Sequence, residues 1–327
     1  MLIDAYHRKI EYLRLSVTDL CNLRCRYCMP EDGVHTKSKS EILSFEEITR
    51  MVRILVALGV KRVRLTGGEP LVRKNLPRLI AMLQGIAGLE EILLTTNGVL
   101  LETLAYELKQ AGLNKINIHL DTLHPEKFRH VTRWGDLEKV LRGLEKAIAL
   151  GFKPIKLNMV VQRGFNDEEV EDLLHFAKNL NLVLRLIELM PIGPAQFQQD
   201  AYLPLGQILA RLSKKYTLEP YENKLGFGPA QYYFVKDFGV VLGTIRPVSK
   251  PFCDGCDRIR LSCDGRVQDC LAYNGVLSVR DILRGEEKDD ETLAHKIVNL
   301  IQGKREGHLG FMQSAKERVP CMYGIGG

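Results

Sequence analysis

Six β-rich segments alternate with amphipathic helical segments along the first part of the chain, and this alternation limits the possible folds most strongly. The predicted strands are 11–18, 61–66, 91–96, 115–121, 155–161 and 183–189. The predicted helices are 44–58, 76–84, 102–111, 137–150 and 167–179, and Ser44 with Glu47 forms a capping-box pattern at the start of the first. Repeated strand–helix units form parallel strands joined by right-handed crossovers. Because a closed barrel of this kind has eight strands, the sequence predicts an α/β fold built on an open, partial (β/α)6 TIM-like barrel.

Polar residues occupy every second position in most of these strands, although parallel sheets covered on both faces are normally apolar throughout. Arg62 and Arg64 alternate with valine and leucine, and Lys156 and Asn158 do the same in the fifth strand. Residues two apart project from one face, and the helices need the apolar face. The polar face therefore either lines the barrel interior or lies exposed to solvent. Since unpaired buried cations are costly, the interior placement predicts a wet cavity with an anionic ligand.

The strand–helix pattern stops after Met190, where the sequence reads MPIGP. Beyond it, a helix over 205–215 and a strand over 239–245 are mixed with turn-rich segments. A chain of 327 residues is long enough for one large domain and a smaller one. We expect residues 1–200 to form the barrel and residues 201–327 to form a smaller α+β region that closes its open side.

Composition favours an intracellular enzyme without a membrane anchor. No apolar run reaches the length of a membrane span, and no apolar segment precedes the first charges as in a secretory signal. We therefore expect a cytoplasmic protein. The formal net charge of +6 is compatible with an anionic substrate or with nucleic acid.

Eight cysteines are distributed very unevenly along the chain. They stand at positions 21, 25 and 28, at positions 253, 256, 263 and 270, and at position 321. In a chain without an export signal, such groups indicate metal sites rather than disulfides. The alternative is a set of unrelated buried thiols.

The first group follows the first predicted strand, at the end where barrel enzymes carry their chemistry. Cys21, Cys25 and Cys28 form a C-x3-C-x2-C pattern, and only His35 could add a nearby fourth zinc ligand. Structural zinc sites usually have four protein ligands, whereas three cysteines on a [4Fe–4S] cluster leave one iron open. This spacing, with Tyr27 before the last cysteine, resembles the radical S-adenosylmethionine superfamily. A zinc site is the alternative.

The segment TGGEP after the second predicted strand supports this resemblance. It is similar to the superfamily motif that holds the methionine amino group, with Gly68 at its centre. Glycine lets a backbone approach a ligand closely. The resemblance implies that S-adenosylmethionine chelates the open iron and yields a 5′-deoxyadenosyl radical after reduction by one electron.

The second cysteine group carries a more specific resemblance. Cys253, Cys256 and Cys270 form C-x2-C-x13-C, and CDRIRLS follows the second of them. Together with YLRLSVTDLCNLRCRYC, RVRLTGGEPLVR, LTTNG, FKPIKLNMVVQRGFND, LRLIELMPIG and a terminal Gly-Gly, this resembles the GTP 3′,8-cyclase family over nearly the whole chain. The resemblance implies a second [4Fe–4S] cluster on Cys253, Cys256 and Cys270, whose open iron binds the guanine end of GTP.

The same resemblance implies a reaction. The adenosyl radical removes the 3′ hydrogen of the GTP ribose, the carbon radical attacks C8 of guanine, and reduction by one electron with protonation gives (8S)-3′,8-cyclo-7,8-dihydro-GTP. This is an early step of molybdenum cofactor biosynthesis. An external one-electron reductant and, downstream, cyclic pyranopterin monophosphate synthase are the implied partners; a homodimer is open, and no nucleic acid or membrane is expected.

The resemblance also assigns ligand contacts residue by residue. Those to S-adenosylmethionine fall on Tyr27, Gly68, His119 and Met190. Those to GTP fall on Arg14, Arg64, Thr95, Lys156, Arg258 and Arg260, and we add Arg185 of the sixth strand as a triphosphate contact. Guanidinium groups suit a triphosphate because their planar forks bind phosphate oxygens in pairs.

Some positions depart from the family pattern or leave alternatives open. His119 stands where the family usually has serine, and Cys263 lies inside the second motif at a position that is commonly not a ligand. Cys321 is expected to be unliganded, and the tail with Gly326 and Gly327 either frays or enters the active site. The competing functions are a radical peptide-modifying maturase with an accessory cluster and, in another class, a zinc nucleic-acid-binding protein.

Overall fold

The computed structural model describes residues 1–34, 36–194, 199–223, 225–273, 276–285 and 289–308. Within these ranges a single twelve-stranded sheet forms the framework. Its strands are β1 (Tyr12–Ser16), β2 (Arg62–Thr66), β3 (Glu91–Thr96), β4 (Lys115–His119), β5 (Ile155–Val161), β6 (Val183–Glu188), β7 (Leu218–Pro220), β8 (Gln231–Val235), β9 (Val240–Ile245), β10 (Arg258–Leu261), β11 (Arg266–Gln268) and β12 (Val276–Ser278).

Helices connect the strands of the first part and flank those of the second. They are α1 (Phe45–Ala57), α2 (Leu76–Gln84), α3 (Leu101–Gln110), α4 (Pro125–Thr132), α5 (Leu137–Ala149), α6 (Val170–Asn179), α7 (Leu205–Ser213), α8 (Arg280–Arg284) and α9 (Asp290–Gln302). None of these described helices has the length and apolar character that crossing a membrane requires.

The predicted open (β/α)6 barrel is confirmed. Strands β1 to β6 lie side by side in chain order, and every neighbouring pair among them is parallel. The sheet does not close, because β10 continues it beyond β1 and β9 continues it beyond β6, both in parallel. Strands β11, β12, β8 and β7 then extend the two edges in antiparallel hairpins. The division at residue 200 stays a prediction.

The outward positions of the barrel strands form the hydrophobic core with the helices. Leu13, Leu15, Val63 and Leu65 are fully buried, and they belong to the same core as Met51 of α1. Burying each such side chain contributes roughly 1.5–3 kcal/mol. The apolar face of the strands therefore packs against the helices. The polar positions line the barrel interior, which is one of the two placements that the alternation left open.

Two helices differ from the sequence prediction. The first turn expected for α6 is replaced by a loop, in which Asn166 accepts from the Gln162 amide and Asp167 accepts from the Gly164 amide. Helix α4 is not predicted from the sequence. It has only eight residues, with Phe128 and Val131 as its main buried apolar residues, and so few positions do not show a helical repeat. By contrast, the predicted capping box of α1 between Ser44 and Glu47 is present.

Candidate active site

A cavity of about 1100 Å³ occupies the polar side of the barrel. Most of the residues assigned from the sequence line it: Cys21, Cys25, Cys28, Tyr27, Gly68, His119, Met190, Arg14, Arg64, Thr95, Lys156, Arg185, Arg258 and Arg260. Cys253, Cys256 and Cys270 do not line it, but Phe252 and Leu271, the neighbours of two of them, do. The cavity therefore has the first cysteine group in its wall, and the second group lies behind the wall.

Three arginines cross the cavity wall in one row. In the sheet register Arg14 of β1 is opposite Arg64 of β2 on one side and Arg260 of β10 on the other. Burial, followed by the charge of Arg260, lowers the pKa of Arg14 well below its ordinary value. Neighbouring buried cations repel one another, so this row gains stability from an anion with several charges.

The row is held in place by three uncharged neighbours, of which only Thr95 was assigned a ligand contact from the sequence. Arg64 donates to the Tyr12 hydroxyl and, over 3.2 Å, to Thr95 Oγ1. Asn117 Nδ2 donates to the same Thr95 oxygen over 3.4 Å. The period-two rule could have found Tyr12 and Asn117, because each shares its strand face with residues that it assigned to the cavity.

A second cationic wall comes from β5 and β6. Arg185 Nε and Nη2 both donate to Asn158 Oδ1, at 2.9 and 2.6 Å, and Lys156 donates to the carbonyl of Leu225. Burial, followed by the charges of Arg185 and Arg64, lowers the pKa of Lys156 to about 7. The arrangement again favours an anionic ligand, because an anion would restore the charged form of Lys156.

The loop with Leu225 covers part of the cavity. Phe227 lies under the Arg62 guanidinium, with 3.2 Å between the guanidinium carbon and the ring centroid. Gly226 and Gly228 also line the cavity. The sequence prediction missed this loop, since it lies outside the repeating strands and carries no cluster of chemical groups.

The first cysteine group sits in a tight turn. The Cys28 amide donates to the Cys25 carbonyl over 2.9 Å, and the Leu23 amide donates to Cys21 Sγ over 3.4 Å. None of the described cysteines forms a disulfide. Burial raises the pKa of Cys21 to about 11 and, with Cys28 and Asp121, raises the pKa of Cys25 well above its ordinary value.

This thiol set fits an iron–sulfur cluster. Iron is bound by thiolates. The raised pKa values of Cys21 and Cys25 disfavour the thiolate form, and the positive charge of iron would compensate for this. In the part of the chain that the structure describes, no group of three histidine, cysteine or acidic side chains is arranged to hold a single metal ion.

The loop of Gly67, Gly68 and Glu69, here called the GGE loop, packs directly against the cysteine loop, the segment after β1 that carries Cys21, Cys25 and Cys28. A Cβ on Gly68 would lie 2.2 Å from the Leu20 carbonyl oxygen, and one on Gly67 would lie 2.7 Å from that of Thr18. The amides of Gly68 and Glu69 donate to these two carbonyls, to Thr18 and Leu20 respectively. Side chains at both glycines are therefore excluded, because the two loops pack backbone to backbone at this point.

Glu69 fixes the surrounding loops instead of facing solvent. It is 1% exposed and accepts from Thr96 Oγ1 and the Asn97 amide, each over 2.7 Å, and from the Leu71 amide over 3.0 Å. Burial raises the pKa of Glu69 to about 7. The carboxyl group thus joins the loops that follow β2 and β3.

The other residues assigned to S-adenosylmethionine stand around the same end of the cavity. Tyr27 donates to Asp121 Oδ2 over 2.8 Å, and Asp121 also accepts from the Val160 amide. His119 Nδ1 is buried and has no hydrogen-bond partner among the described residues. Burial, followed by the charges of Arg185 and Arg14, lowers the pKa of His119 to about 4, so its ring is neutral near pH 7.

The second cysteine group is assembled from distant parts of the chain. The Cys256 amide donates to the Cys253 carbonyl, and Arg8 donates to that same carbonyl over 2.8 Å. Lys304, which is 3% exposed, donates to Cys256 Sγ over 3.5 Å and to the Arg258 carbonyl over 2.7 Å. Neither Arg8 nor Lys304 has a signal in the sequence, since each lies far from the motif.

Of the two remaining cysteines, only Cys263 lies in the described part of the chain. Cys263 is fully buried, and burial raises the pKa of its thiol to about 12. Cys321 and the Gly326–Gly327 tail lie outside the described residues, as does His35.

Comparisons with known proteins match most of the chain. Residues 15–177 match the Radical SAM superfamily and residues 182–310 match Molybdenum Cofactor Synthesis C. A GTP 3′,8-cyclase of Syntrophomonas wolfei is 45% identical over 327 residues, which cover 100% of both chains. One of Moorella thermoacetica is 45% identical over 324 residues, which cover 99% of each.

Solved structures at much lower identity share the fold. Streptococcus suis SuiB bound to precursor peptide SuiA has a TM-score of 0.61 at 13% identity, covering 91% of this chain and 67% of that one. Native anSMEcpe with bound AdoMet has a TM-score of 0.58 at 15% identity, covering 94% of this chain and 95% of that one. At such low identity, a shared fold does not indicate the substrate. The full-length relatives do show the family, and the chain belongs to the GTP 3′,8-cyclase family.

Proposed function

We propose that this chain converts GTP to (8S)-3′,8-cyclo-7,8-dihydro-GTP, an early step of molybdenum cofactor biosynthesis. Its cofactors are S-adenosylmethionine and two [4Fe–4S] clusters. The observation that carries the proposal is a single cavity that is lined by the first cysteine group, the GGE loop and a row of three arginines. An enzyme that generates a radical and directs it at a polyanionic nucleotide needs both in one cavity.

Cys21, Cys25 and Cys28 would hold the first cluster. When bound, the cluster and S-adenosylmethionine supply a 5′-deoxyadenosyl radical. The chain's own contribution is positioning: Gly68 lets its loop pack closely on the backbone just before Cys21, and Tyr27 is fixed by its hydrogen bond to Asp121.

His119 and Met190 complete the proposed S-adenosylmethionine site. The neutral His119 ring has an unsatisfied Nδ1, which can donate to or accept from a ligand hydroxyl. It can therefore replace the serine that is usual in the family without adding charge. Met190 lines the cavity and packs beside Ile192 and Ala272, next to the second cysteine region.

The triphosphate would bind across the cationic walls. Arg14, Arg64 and Arg260 supply the row, and Lys156 of β5 and Arg185 of β6 line the same cavity. Charge-assisted hydrogen bonds to buried guanidiniums hold phosphate oxygens strongly and with defined geometry. Thr95 and Arg258 are the remaining proposed contacts, and Arg258 stands two residues from the cluster ligand Cys256.

Cys253, Cys256 and Cys270 would hold the second cluster, with its open iron toward the guanine. The proposal also includes an external one-electron reductant, cyclic pyranopterin monophosphate synthase as the consumer of the product, and a cytoplasmic location. A homodimer and the absence of nucleic acid as a partner stay predictions. A peptide-modifying maturase fits less well, since a buried arginine row serves a polyanion better than a peptide backbone.

The test is anaerobic. After reconstitution with iron and sulfide, dithionite and S-adenosylmethionine are added, and 5′-deoxyadenosine and GTP are followed by mass spectrometry. The proposal expects 5′-deoxyadenosine to form faster with GTP present, together with loss of GTP and a product of equal mass. Formation of 5′-deoxyadenosine with GTP unchanged would refute the cyclase assignment and leave the radical chemistry in place.

A further inference from the structure

The cysteine loop has an outer surface that the proposed function does not use. Its inner side, with Cys21, Cys25 and Cys28, faces the cavity. On the outer side Arg26, which directly follows Cys25, is exposed and joins a shallow depression of about 490 Å³ with Arg129, Arg133 and Trp134. This is therefore a place where the first cluster loop itself reaches the protein surface.

The depression is rigidly attached to the cysteine loop. The Arg26 amide donates to the Val131 carbonyl over 2.9 Å, and Arg26 Nε donates to the His130 carbonyl over 2.9 Å. Arg133 donates to the carbonyls of Arg24 and Met29, and the Trp134 indole donates to the Asn22 carbonyl over 3.0 Å. The end of α4 and the loop thus form one unit.

The chemistry of this surface is basic with an aromatic centre. Trp134 is 50% exposed, and the Arg24 guanidinium carbon stands 5.1 Å from its ring centroid. Counting Arg24, four arginines border the depression, against Glu31 and Glu126. Exposed tryptophan and arginine are the residues that most often dominate protein interfaces. We call Arg24, Arg26, Arg129, Arg133 and Trp134 the arginine patch.

We propose that the arginine patch is the docking surface for a small acidic one-electron carrier protein. This role rests on the proposed function, which consumes an external electron at the first cluster. The cavity side of the loop would be filled by the substrates, so a protein donor has to approach from outside. In the transfer the carrier loses one electron and the enzyme gains it, and no covalent bond or proton transfer is needed.

The decisive variant is Arg129→Glu. Arg129 is exposed, and it lies outside the cavity lining and apart from the hydrogen bonds that hold the loop. Arg129→Lys keeps the charge at the same place, and Arg53→Glu makes the same reversal on an exposed position of α1. Enzyme activity is measured twice, once with reduced flavodoxin as an acidic carrier and once with dithionite, which needs no protein docking.

Reversal at Arg129 should lower the flavodoxin-driven rate of 5′-deoxyadenosine formation roughly tenfold at low salt, since steering by surface charge is of this order or larger. The loss should shrink as salt is raised. Flavodoxin binding, measured by calorimetry without S-adenosylmethionine, should weaken in parallel. Arg129→Lys and Arg53→Glu should behave as wild type.

Unchanged flavodoxin affinity and rate in Arg129→Glu would overturn the docking proposal, and so would an equal loss in Arg53→Glu. A loss that also appeared with dithionite would show that Arg129 supports the cysteine loop and not a partner, and would overturn it too. Each of these outcomes is separate from failure of the proposed function, in which GTP would be unconverted with dithionite in the wild type.

Discussion

The two cysteine groups of this protein are built in different ways. The first comes from one turn between Cys21 and Cys28, and the charges acting on Cys25 are thiols and Asp121, all of which raise its pKa. In the second, burial opposes ionisation of Cys256, but Arg258 and Lys304 outweigh it and lower the pKa of its thiol. The first group is thus local, and the charges that act most on Cys25 are acidic groups, whereas Cys256 is supported by cations, of which Lys304 comes from a distant segment.

This difference has a chemical consequence for a bound cluster. Positive charge and hydrogen bonds to cluster sulfurs stabilise the more negative, reduced state. The second site supplies both through Lys304, which donates to Cys256 Sγ. We therefore expect the second cluster to depend on residues outside its motif, while the first depends mainly on its cysteines and the loops packed against them.

The largest expected effect comes from replacing one cysteine in each group, which should disable different steps of the reaction. Cys25→Ala should abolish formation of 5′-deoxyadenosine, because the first cluster loses a ligand. Cys256→Ala should keep the electron paramagnetic resonance signal of the first cluster and some cleavage of S-adenosylmethionine, while GTP conversion is lost. Both variants are assayed with dithionite at matched iron content. If Cys256→Ala also lost all 5′-deoxyadenosine, the two sites would not be separable.

The next effect concerns the arginine row between the groups. Arg260→Ala removes a charge-assisted contact, and the affinity for GTP should fall roughly 10- to 100-fold, as expected for about 1.5–3 kcal/mol. Burial, followed by the charge of Arg258, lowers the pKa of Arg260 only to about 10, so it is charged near pH 7. Calorimetric binding of GTP measures the loss.

Arg53→Ala on α1 is the matched control for Arg260→Ala, since Arg53 is exposed and lies far from β10 in the sequence. Iron content and circular dichroism establish that the variant folds and carries its clusters. Wild-type GTP affinity in Arg260→Ala would remove this residue from the nucleotide site and weaken the role of the whole row.

The barrel could be predicted from the sequence because its signals are local. Period-two alternation placed Arg14, Arg64 and Lys156 on one face, and the capping box located the start of α1. Which strands adjoin the barrel edges was not predictable, since the pairing of Arg14 with Arg260 joins residues almost 250 positions apart. No local pattern records a register of that kind.

The sequence predicted the cysteines of both groups but not the residues that support the second group. Spacing alone identifies three thiols in one turn, and it gave the cysteines of both motifs. It did not reveal Lys304 or Arg8, which reach the second group only through the tertiary fold. Tyr12 and Asn117 share their strand faces with residues assigned to the cavity, but neither was assigned a role, because site residues were chosen from the ligand contacts that the resemblance implies.

A smaller effect should follow from removing the cationic support of the second group. In Lys304→Met the reduction potential of the second cluster should fall, and iron affinity at that site should drop by roughly 10- to 100-fold, as for other residues behind metal ligands. A redox titration followed by electron paramagnetic resonance measures the potential. Lys304→Arg should restore most of it, and the first cluster should be unchanged in both. A potential unaltered by Lys304→Met would contradict the contrast between the groups.

The smallest effect is a pH dependence at the cationic end of the cavity. Burial, followed by Arg185 and Arg64, lowers the pKa of Lys156 to about 7, so above pH 7 this side chain loses its proton in the free enzyme. Bound triphosphate favours the charged form, so GTP binding should take up a proton, and affinity should fall as pH rises from 7 to 9 by at most about tenfold per unit. Calorimetry in buffers of different ionisation enthalpy measures the uptake. Lys156→Arg keeps its charge throughout and should remove this slope, and an equal slope in that variant would assign the proton to another group.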